Sequence, residues 1–208
     1  MSKGVKQWVF AHRGAWNSQV APNSALSIQN ALHNGFGVET DIRDLNGEIV
    51  ISHDPCVGND YEKFSDFVGK GSRIAINIKS DGLVERIQNY TGQLKESGSF
   101  IFDCSFPELI KYKKAGIPHA IRISEYEREL PWKPDYLWLD CFDSDWWLEE
   151  ASVLDIMETT PTIVVSPELH KRDHAKVWHR VLELRSAGLN LSVCTDFPDE
   201  LAVSAGLA

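Results

Sequence analysis

The sequence predicts an α/β protein whose parallel strands close into a (β/α)8 barrel, also called a TIM barrel. Short apolar runs alternate with helical patterns along the whole chain of 208 residues, and eight strand–helix units can be counted. Eight units in one domain, residues 1–208, fit a compact barrel of this type. An open doubly wound sheet is the alternative, but no G-x-G-x-x-G follows any predicted strand.

The first half of the chain predicts four barrel strands and one hairpin. The strands are runs of β-branched and aromatic residues, and the segments between them have helical periodicity. Asn23 or Ser24 is the expected N-cap of the first helix. The Asn46-Gly47 turn dipeptide predicts that residues 48–52 pair back on the second strand. The predicted strands are 7–11, 37–43, 74–78 and 100–104, and the predicted helices are 24–33, 83–96 and 107–115.

The second half of the chain continues the same alternation. Its apolar runs are shorter, and the helix after the fifth strand is expected to be brief. The predicted strands are 120–123, 136–141, 162–165 and 191–194, and the predicted helices are 125–129, 147–157, 175–187 and 199–205.

The composition excludes several functional classes. A net charge of −9 argues against a general nucleic-acid or anionic-membrane binder, which would normally be basic. The four cysteines form no C-x-x-C, which argues against a zinc ribbon or a thioredoxin-like site. The chain shows neither a signal-peptide pattern nor an apolar run near the roughly 20 residues of a membrane span, so we expect a cytoplasmic protein without an integral membrane segment.

Polar side chains collect where the first three predicted strands end. In a parallel barrel the carboxyl ends of the strands form the active-site face, so these residues are expected to converge on one rim. They are His12 and Arg13 after the first strand, Glu39 and Asp41 in the second, His53 after the hairpin, and Asn77 and Lys79 at the third.

The two carboxylates of the second strand are two residues apart. Glu39 and Asp41 therefore point to the same side of the strand, where they repel each other unless a cation lies between them. A hard divalent metal ion with oxygen ligands satisfies this arrangement. A buried ion pair with Arg13, Arg43 or Lys79 satisfies it equally well, and the spacing alone leaves both interpretations open.

The third strand and the two histidines extend the pattern. Asn77 and Lys79 also share one side, so they offer a neutral oxygen ligand and a point charge for a phosphate, unless this strand end simply runs into solvent. His12 and His53 each stand beside a charged residue at a predicted strand end. Two imidazoles with pKa values near neutrality are suited to take up one proton and deliver another.

Together these fragments resemble the glycerophosphodiester phosphodiesterase family of phospholipase C-like barrels. The order and spacing of the histidine, acidic and second histidine blocks carry the resemblance, which is dense in the first half of the chain. The matching fragments are Ala11-His12-Arg13-Gly14, Asn23-Ser24, residues 37–43 (GVETDIR), residues 50–55 (VISHDP), Asn77-Ile78-Lys79, Ser105-Phe106 and Thr195-Asp196-Phe197-Pro198.

The resemblance implies a phosphoric diester hydrolase that uses a divalent metal, Mg2+ or Ca2+. Its substrate would be a small glycerophosphodiester, cleaved to glycerol phosphate and an alcohol in lipid metabolism. A substrate hydroxyl would attack phosphorus, and water would then open the cyclic phosphate. The implied roles are general base and acid for His12 and His53, phosphate binding for Arg13 and Lys79, and metal binding for Glu39, Asp41 and Asn77.

Three departures from the family pattern accompany this resemblance. Asn77 stands where the family usually has a glutamate, and Pro22 stands where the family's Pro-Glu-Asn-Thr stretch has its glutamate. The usual insertion after the second strand is missing, since only residues 55–73 lie between the second histidine and the third strand. Glu168, which follows the seventh strand, is a candidate to supply the missing negative charge, or else an exposed loop acid.

Other functions remain open at this stage. One alternative is a related barrel phosphodiesterase that acts on an inositol, sphingoid or sugar phosphodiester. Another is a catalytically weak barrel that binds phosphate, and Asn77 and Pro22 are the residues that favour it. The pattern indicates neither the alcohol of the substrate nor the oligomeric state.

Overall fold

A computed structural model describes residues 6–69 and 71–207. The strands are β1 Val9–His12, β2 Gly37–Leu45, β3 Glu48–Ile51, β4 Ile74–Ile78, β5 Phe100–Phe102, β6 Ala120–Ile123, β7 Tyr136–Leu139, β8 Thr162–Val165 and β9 Leu191–Thr195. The α-helices are α1 Ala25–His33, α2 Val84–Gln88, α3 Thr91–Ser97, α4 Phe106–Lys114, α5 Ala151–Thr159, α6 Ala175–Ser186 and α7 Pro198–Ser204.

Eight parallel strands form the predicted (β/α)8 barrel. Their order around the sheet is β5-β4-β2-β1-β9-β8-β7-β6. The ring closes between β5 and β6, where Ile101 bridges to His119 and the Ile101 N–H donates to the Pro118 carbonyl at 3.0 Å. Strand β3 lies outside the ring and pairs antiparallel with β2, as the Asn46-Gly47 turn predicts.

Two apolar cores follow from the alternation of side chains along each strand. One set fills the barrel interior and the other packs between the strands and the helices, because successive residues point to opposite faces. The interior set is small and rich in aromatic residues; its buried members are Phe10, Ala75, Phe100, Phe102, Ala120, Trp138, Ile163, Val165 and Cys194. This inner core fills the lower barrel. The polar inward-facing residues, two positions further along the strands, therefore lie at the mouth of the barrel.

The helices differ from the sequence-based expectation in three places. The helix predicted over 83–96 is broken into α2 and α3, the helix predicted over 147–157 is a 3-10 helix at Trp146–Glu149 followed by α5, and the helix predicted over 125–129 is a loop. The loop forms because the Glu125 carboxylate accepts backbone N–H groups from Phe142, Asp143 and Ser144, a long-range partner that local periodicity does not report. Within the two described ranges, no helix is long and apolar enough to cross a bilayer.

The turn after β1 sets the geometry of the rim. Arg13 and Gly14 both have positive φ, 57° and 84°. A Cβ on Gly14 would lie 2.6 Å from the backbone carbonyl carbon of Ser27, so only glycine fits where this turn meets the start of α1. The Ser24 side chain caps the same helix by accepting the Ser27 N–H, which confirms Ser24 as the N-cap.

We therefore expect Gly14→Ala to be more destabilising than a glycine substitution at positive φ in open space. Gly47 provides the matched control, because its φ is 88° and nothing lies within 4 Å of an added Cβ. Gly47→Ala should carry the backbone cost of about 1 kcal/mol, and Gly14→Ala should cost more because it adds a clash with α1. Urea unfolding of the two variants measures this, and equal losses would show that the turn accommodates a Cβ.

Candidate active site

The mouth of the barrel holds two inward-facing carboxylates on β2. Glu39 and Asp41 are almost fully buried, with 2% and 1% of their surfaces exposed. In the parallel register Asp41 lies beside Asn77 on β4, so the Asn77 side chain faces the barrel interior next to Asp41. The shared face predicted from the two-residue spacing is therefore present.

Glu39 has little to compensate its charge. One oxygen, Oε2, accepts the Arg13 backbone N–H at 3.1 Å and lies 3.9 Å from His12 Nε2. Burial, and then repulsion from the Asp41 carboxylate, raise the pKa of Glu39 well above its ordinary value. A divalent cation placed between the two carboxylates would remove this penalty.

Asp41 is the better-partnered carboxylate. Its Oδ2 accepts from Asn23 Nδ2 at 2.8 Å and lies 3.2 Å from Arg13 Nε. Its Oδ1 lies 3.4 Å from Lys79 Nζ. The ion pair that the sequence left open as an alternative therefore forms on Asp41, with both Arg13 and Lys79.

The donor set of this region fits a hard cation. Among the described residues, Asn77 Oδ1 is a buried acceptor without a hydrogen-bond donor, and Asp41 Oδ1 has only the ion-pair contact with Lys79 at 3.4 Å. A buried oxygen without a donor is costly, and a hard divalent ion would satisfy it because such an ion prefers oxygen ligands. No three His, Cys, Asp or Glu side chains in the described ranges converge as a metal cluster.

His12 is held by a carboxylate from the far end of the chain. Its Nδ1 hydrogen bonds to Asp196 Oδ1 at 2.7 Å, which leaves Nε2 directed toward Glu39. Burial lowers the pKa of His12, but the hydrogen bond to Asp196 and the charge of Glu39 outweigh it and raise the pKa above 6.5. The Asp196 partnership was not predicted; the Thr195-Asp196 pair at the last strand end was noted only through the family resemblance.

Glu168 holds the segment that carries Asp196. Its Oε1 accepts the Asp196 N–H at 3.2 Å and the Thr195 hydroxyl, and its Oε2 accepts from Ser166. Both oxygens are thus engaged in hydrogen bonds around the end of β9. The structure places Glu168, which the sequence offered as a candidate for the missing negative charge or as an exposed loop acid, as a support for the segment that carries Asp196.

His53 lies at the hairpin end of the rim, two residues after strand β3. It lines an open cleft of about 540 Å³ together with Asn23, Ser24 and Tyr61. Its Nδ1 hydrogen bonds to Asp54 Oδ1 at 2.9 Å, and its carbonyl accepts from Arg43 at 3.1 Å. His12 is not part of this cleft lining, and Asn23 connects the two regions because its amide also donates to Asp41.

Comparison with solved structures places this barrel among known folds. A glycerophosphodiester phosphodiesterase from Parabacteroides distasonis superposes with a TM-score of 0.62 at 16% identity, covering 95% of this chain and 96% of that one. One from Agrobacterium tumefaciens gives 0.61 at 13% identity, covering 95% and 98%. The chain has the glycerophosphodiester phosphodiesterase fold. No family profile and no curated protein matches the sequence.

Two further solved structures of this fold are a product complex and a Ca2+-dependent enzyme. An Oleispira antarctica phosphodiesterase in complex with the product sn-glycerol-3-phosphate gives a TM-score of 0.59 at 18% identity, covering 96% of both chains. A Ca2+-dependent phosphatidylinositol-specific phospholipase C from Streptomyces antibioticus gives 0.50 at 13% identity, covering 95% of this chain and 98% of that one. At these identities the likeness establishes the fold that this chain shares with the glycerophosphodiester phosphodiesterases.

The His12–Asp196 pair generates a prediction about pH. Asp196→Asn should lower the pKa of His12 in metal-free protein, because it removes the carboxylate that stabilises the imidazolium. The raised pKa means that the pair stabilises the fold fully below pH 6.5 and that this contribution is lost as pH rises through the folded-state pKa. The variant should therefore lose more stability at about pH 5.5 than at about pH 9.

Titration of the His12 ring by NMR measures the pKa directly, and urea unfolding at the two pH values measures the linked stability. Asp199→Asn is the matched control, because Asp199 lies in the first turn of α7, three residues further along the chain. A His12 pKa that is the same in wild type and in Asp196→Asn would contradict the assignment.

Proposed function

We propose that this protein is a metal-dependent phosphodiesterase that hydrolyses a glycerophosphodiester to glycerol phosphate and an alcohol. The observation that carries the proposal is the buried pair Glu39 and Asp41 beside the unpartnered Asn77 oxygen, with basic side chains and a carboxylate-held histidine around it. Barrels of the same fold include glycerophosphodiester phosphodiesterases and a phosphodiesterase bound to sn-glycerol-3-phosphate. These neighbours support a small phosphodiester as substrate.

We assign the cation site to Glu39, Asp41 and Asn77. Two carboxylates and one amide are a hard oxygen set suited to Mg2+ or Ca2+. A Ca2+-dependent enzyme among the structural neighbours supports this choice. When bound, the ion would neutralise charge on the non-bridging phosphate oxygens.

Arg13 and Lys79 bind the phosphate in this proposal. Both stand at the mouth beside Asp41, and their side chains are 30% and 21% exposed, so each retains access to a ligand. Arg13 presents a planar fork of donors to phosphate oxygens, and Lys79 presents a point charge. Together they stabilise the negative charge that builds up on phosphorus oxygens during attack.

The two histidines move the protons. His12, with Nδ1 held by Asp196, takes the proton from the attacking hydroxyl on Nε2, and the Asp196 carboxylate stabilises the imidazolium that results. His53 donates a proton to the oxygen of the leaving alcohol, so that it departs as a neutral alcohol. The roles reverse for the water that opens the cyclic phosphate.

A catalytically weak phosphate-binding barrel is the second candidate. The observation that favours it is the pairing of Lys79 and Arg13 with Asp41, since two cations already balance one of the two proposed anionic ligands. In such a protein the lysine would replace the metal ion. Alcohol release from a panel of phosphodiesters, with chelator and with added Mg2+ or Ca2+, distinguishes the candidates: metal-dependent turnover supports the enzyme, and phosphate binding without turnover supports the alternative.

Removing either histidine should slow turnover without unfolding the protein. His12→Ala and His53→Ala should each lower kcat by roughly a hundredfold to ten-thousandfold, the usual range for one proton-transfer group. His179→Ala is the control, because His179 lies on the outer helix α6 with 78% of its side chain exposed. If both rim variants retained full kcat on the best substrate, the proton-transfer assignment would be wrong.

Restoring a carboxylate at position 77 should tighten metal binding. Asn77→Glu adds a negative ligand to a site that has two, and ligand charge tunes the affinity for hard divalent ions over orders of magnitude. Titration calorimetry with Ca2+ and Mg2+ compares the variant with wild type. Asn89→Glu, which makes the same change at the exposed end of α2, controls for net charge. Unchanged or weaker affinity in a folded variant would show that Asn77 is not a ligand.

A further inference from the structure

The half of the barrel mouth opposite Glu39 and Asp41 has a different construction. Here the inner core ends in an aromatic pair, Phe102 stacked on Trp138 with ring centroids 3.9 Å apart. One inward step further along the neighbouring strands come Arg122, two residues after the core residue Ala120, and Asp140, two residues after Trp138. By strand alternation both point into the mouth above the aromatic floor.

Each of these two charged groups has a partner on the rim. Arg122 pairs with Asp103 Oδ1 at 2.7 Å and with Glu127 Oε2 at 2.6 Å. Asp140 is buried, and its Oδ1 accepts from His170 Nε2 at 2.7 Å. The side chains of Arg122 and His170 are 32% and 23% exposed, so both are partly accessible to solvent.

An aromatic ring joins the two pairs. The Phe142 ring centroid lies 5.7 Å from the Arg122 guanidinium and 4.8 Å from the His170 ring. We call the group formed by Asp103, Arg122, Asp140, Phe142 and His170 the far-rim cluster. It combines nitrogen donors, carboxylate acceptors and an apolar ring face, with Asp140 buried and Arg122 and His170 partly exposed.

The far-rim cluster and the candidate metal site share the same barrel mouth. In the strand order of the closed ring, β7, which leads into Asp140, lies opposite β2, which carries Glu39 and Asp41. A substrate whose phosphate sits at Arg13 and Lys79 has the far-rim cluster in front of it across the mouth.

We infer that the far-rim cluster receives the leaving alcohol of the substrate and selects a hydroxyl-rich alcohol, such as a cyclic polyol or a sugar, over a quaternary ammonium alcohol. The inference rests on the proposed phosphodiesterase function and specifies its substrate class. It follows from the chemistry of the cluster and from its position across the mouth from the phosphate-binding residues.

Vicinal hydroxyls match this set of groups. Each hydroxyl donates one hydrogen bond and accepts others, so it uses the carboxylate of Asp103 and the nitrogens of Arg122 and His170 together. The Phe142 face suits the C–H surface of a ring. A trimethylammonium group gains none of these hydrogen bonds, and sites for such cations are aromatic cages instead.

The test compares two diesters that share the glycerophosphoryl half, glycerophosphoinositol and glycerophosphocholine, with added Ca2+ or Mg2+. Wild type should show kcat/KM at least about tenfold higher for the inositol diester, because unmade hydrogen bonds in a polar site are penalised strongly. Arg122→Gln should lose about tenfold or more on the inositol diester and change by less than about threefold on the choline diester. Arg180→Gln, the same change on the outer helix α6, should alter neither.

Thermal melting checks that Arg122→Gln remains folded. If Arg122→Gln does not fold, His170→Gln is the second variant, and it should reduce the ratio of kcat/KM for the inositol diester to that for the choline diester. Equal hydrolysis of the two diesters by wild type, or a loss in Arg122→Gln that is the same for both, would overturn the far-rim assignment and leave the proposed function standing. Hydrolysis of neither diester, with either metal, would overturn the proposed function and the leaving-group site with it.

Discussion

Like-charge repulsion between Glu39 and Asp41 is the constraint on which the architecture of the barrel mouth depends. Both carboxylates are buried on the inward face of β2, where such a pair is costly without cations nearby. The turn after β1 offsets part of this cost, because it directs the Arg13 N–H toward Glu39 and the Arg13 guanidinium toward Asp41. This turn requires Gly14, since no larger residue fits against the start of α1.

The compensation is unequal between the two carboxylates. Asp41 has the Asn23 amide, Arg13 and Lys79 within reach, whereas Glu39 has one backbone N–H and a histidine 3.9 Å away. The Asn77 oxygen, buried beside Asp41, has no donor at all within the described residues. A divalent ion satisfies the under-compensated glutamate and the unpartnered amide together, which a lysine on Asp41 alone does not do.

Sequence patterns predicted the elements whose causes are local or periodic. Two-residue spacing placed Glu39 with Asp41 and Asn77 with Lys79, because alternation on a strand is a property of the backbone, and parallel register then brought Asp41 next to Asn77. The same reasoning failed for residues 125–129, where the long-range capture of three N–H groups by Glu125 overrides helical periodicity.

The roles of Asp196 and Glu168 likewise depend on contacts that no local pattern reports. Asp196 reaches His12 across 184 positions of sequence because the last strand of the barrel lies beside the first. Glu168 was a candidate for the missing negative charge because it follows a strand end, and in the structure its carboxylate is engaged by Thr195, Asp196 and Ser166. The pairing of β9 with β1 therefore brings Asp196 to His12, and residue spacing within one segment does not predict such a contact.

A crystal structure of the protein soaked with Ca2+ tests the central claim most directly, because the anomalous signal of the ion locates it without assumptions. We predict an ion within about 2.3–2.6 Å of oxygens from Glu39, Asp41 and Asn77, with the Lys79 ammonium withdrawn from Asp41. A mouth in which Lys79 still holds Asp41 at millimolar Ca2+, with no ion beside Glu39, would contradict the claim that these carboxylates are a metal site.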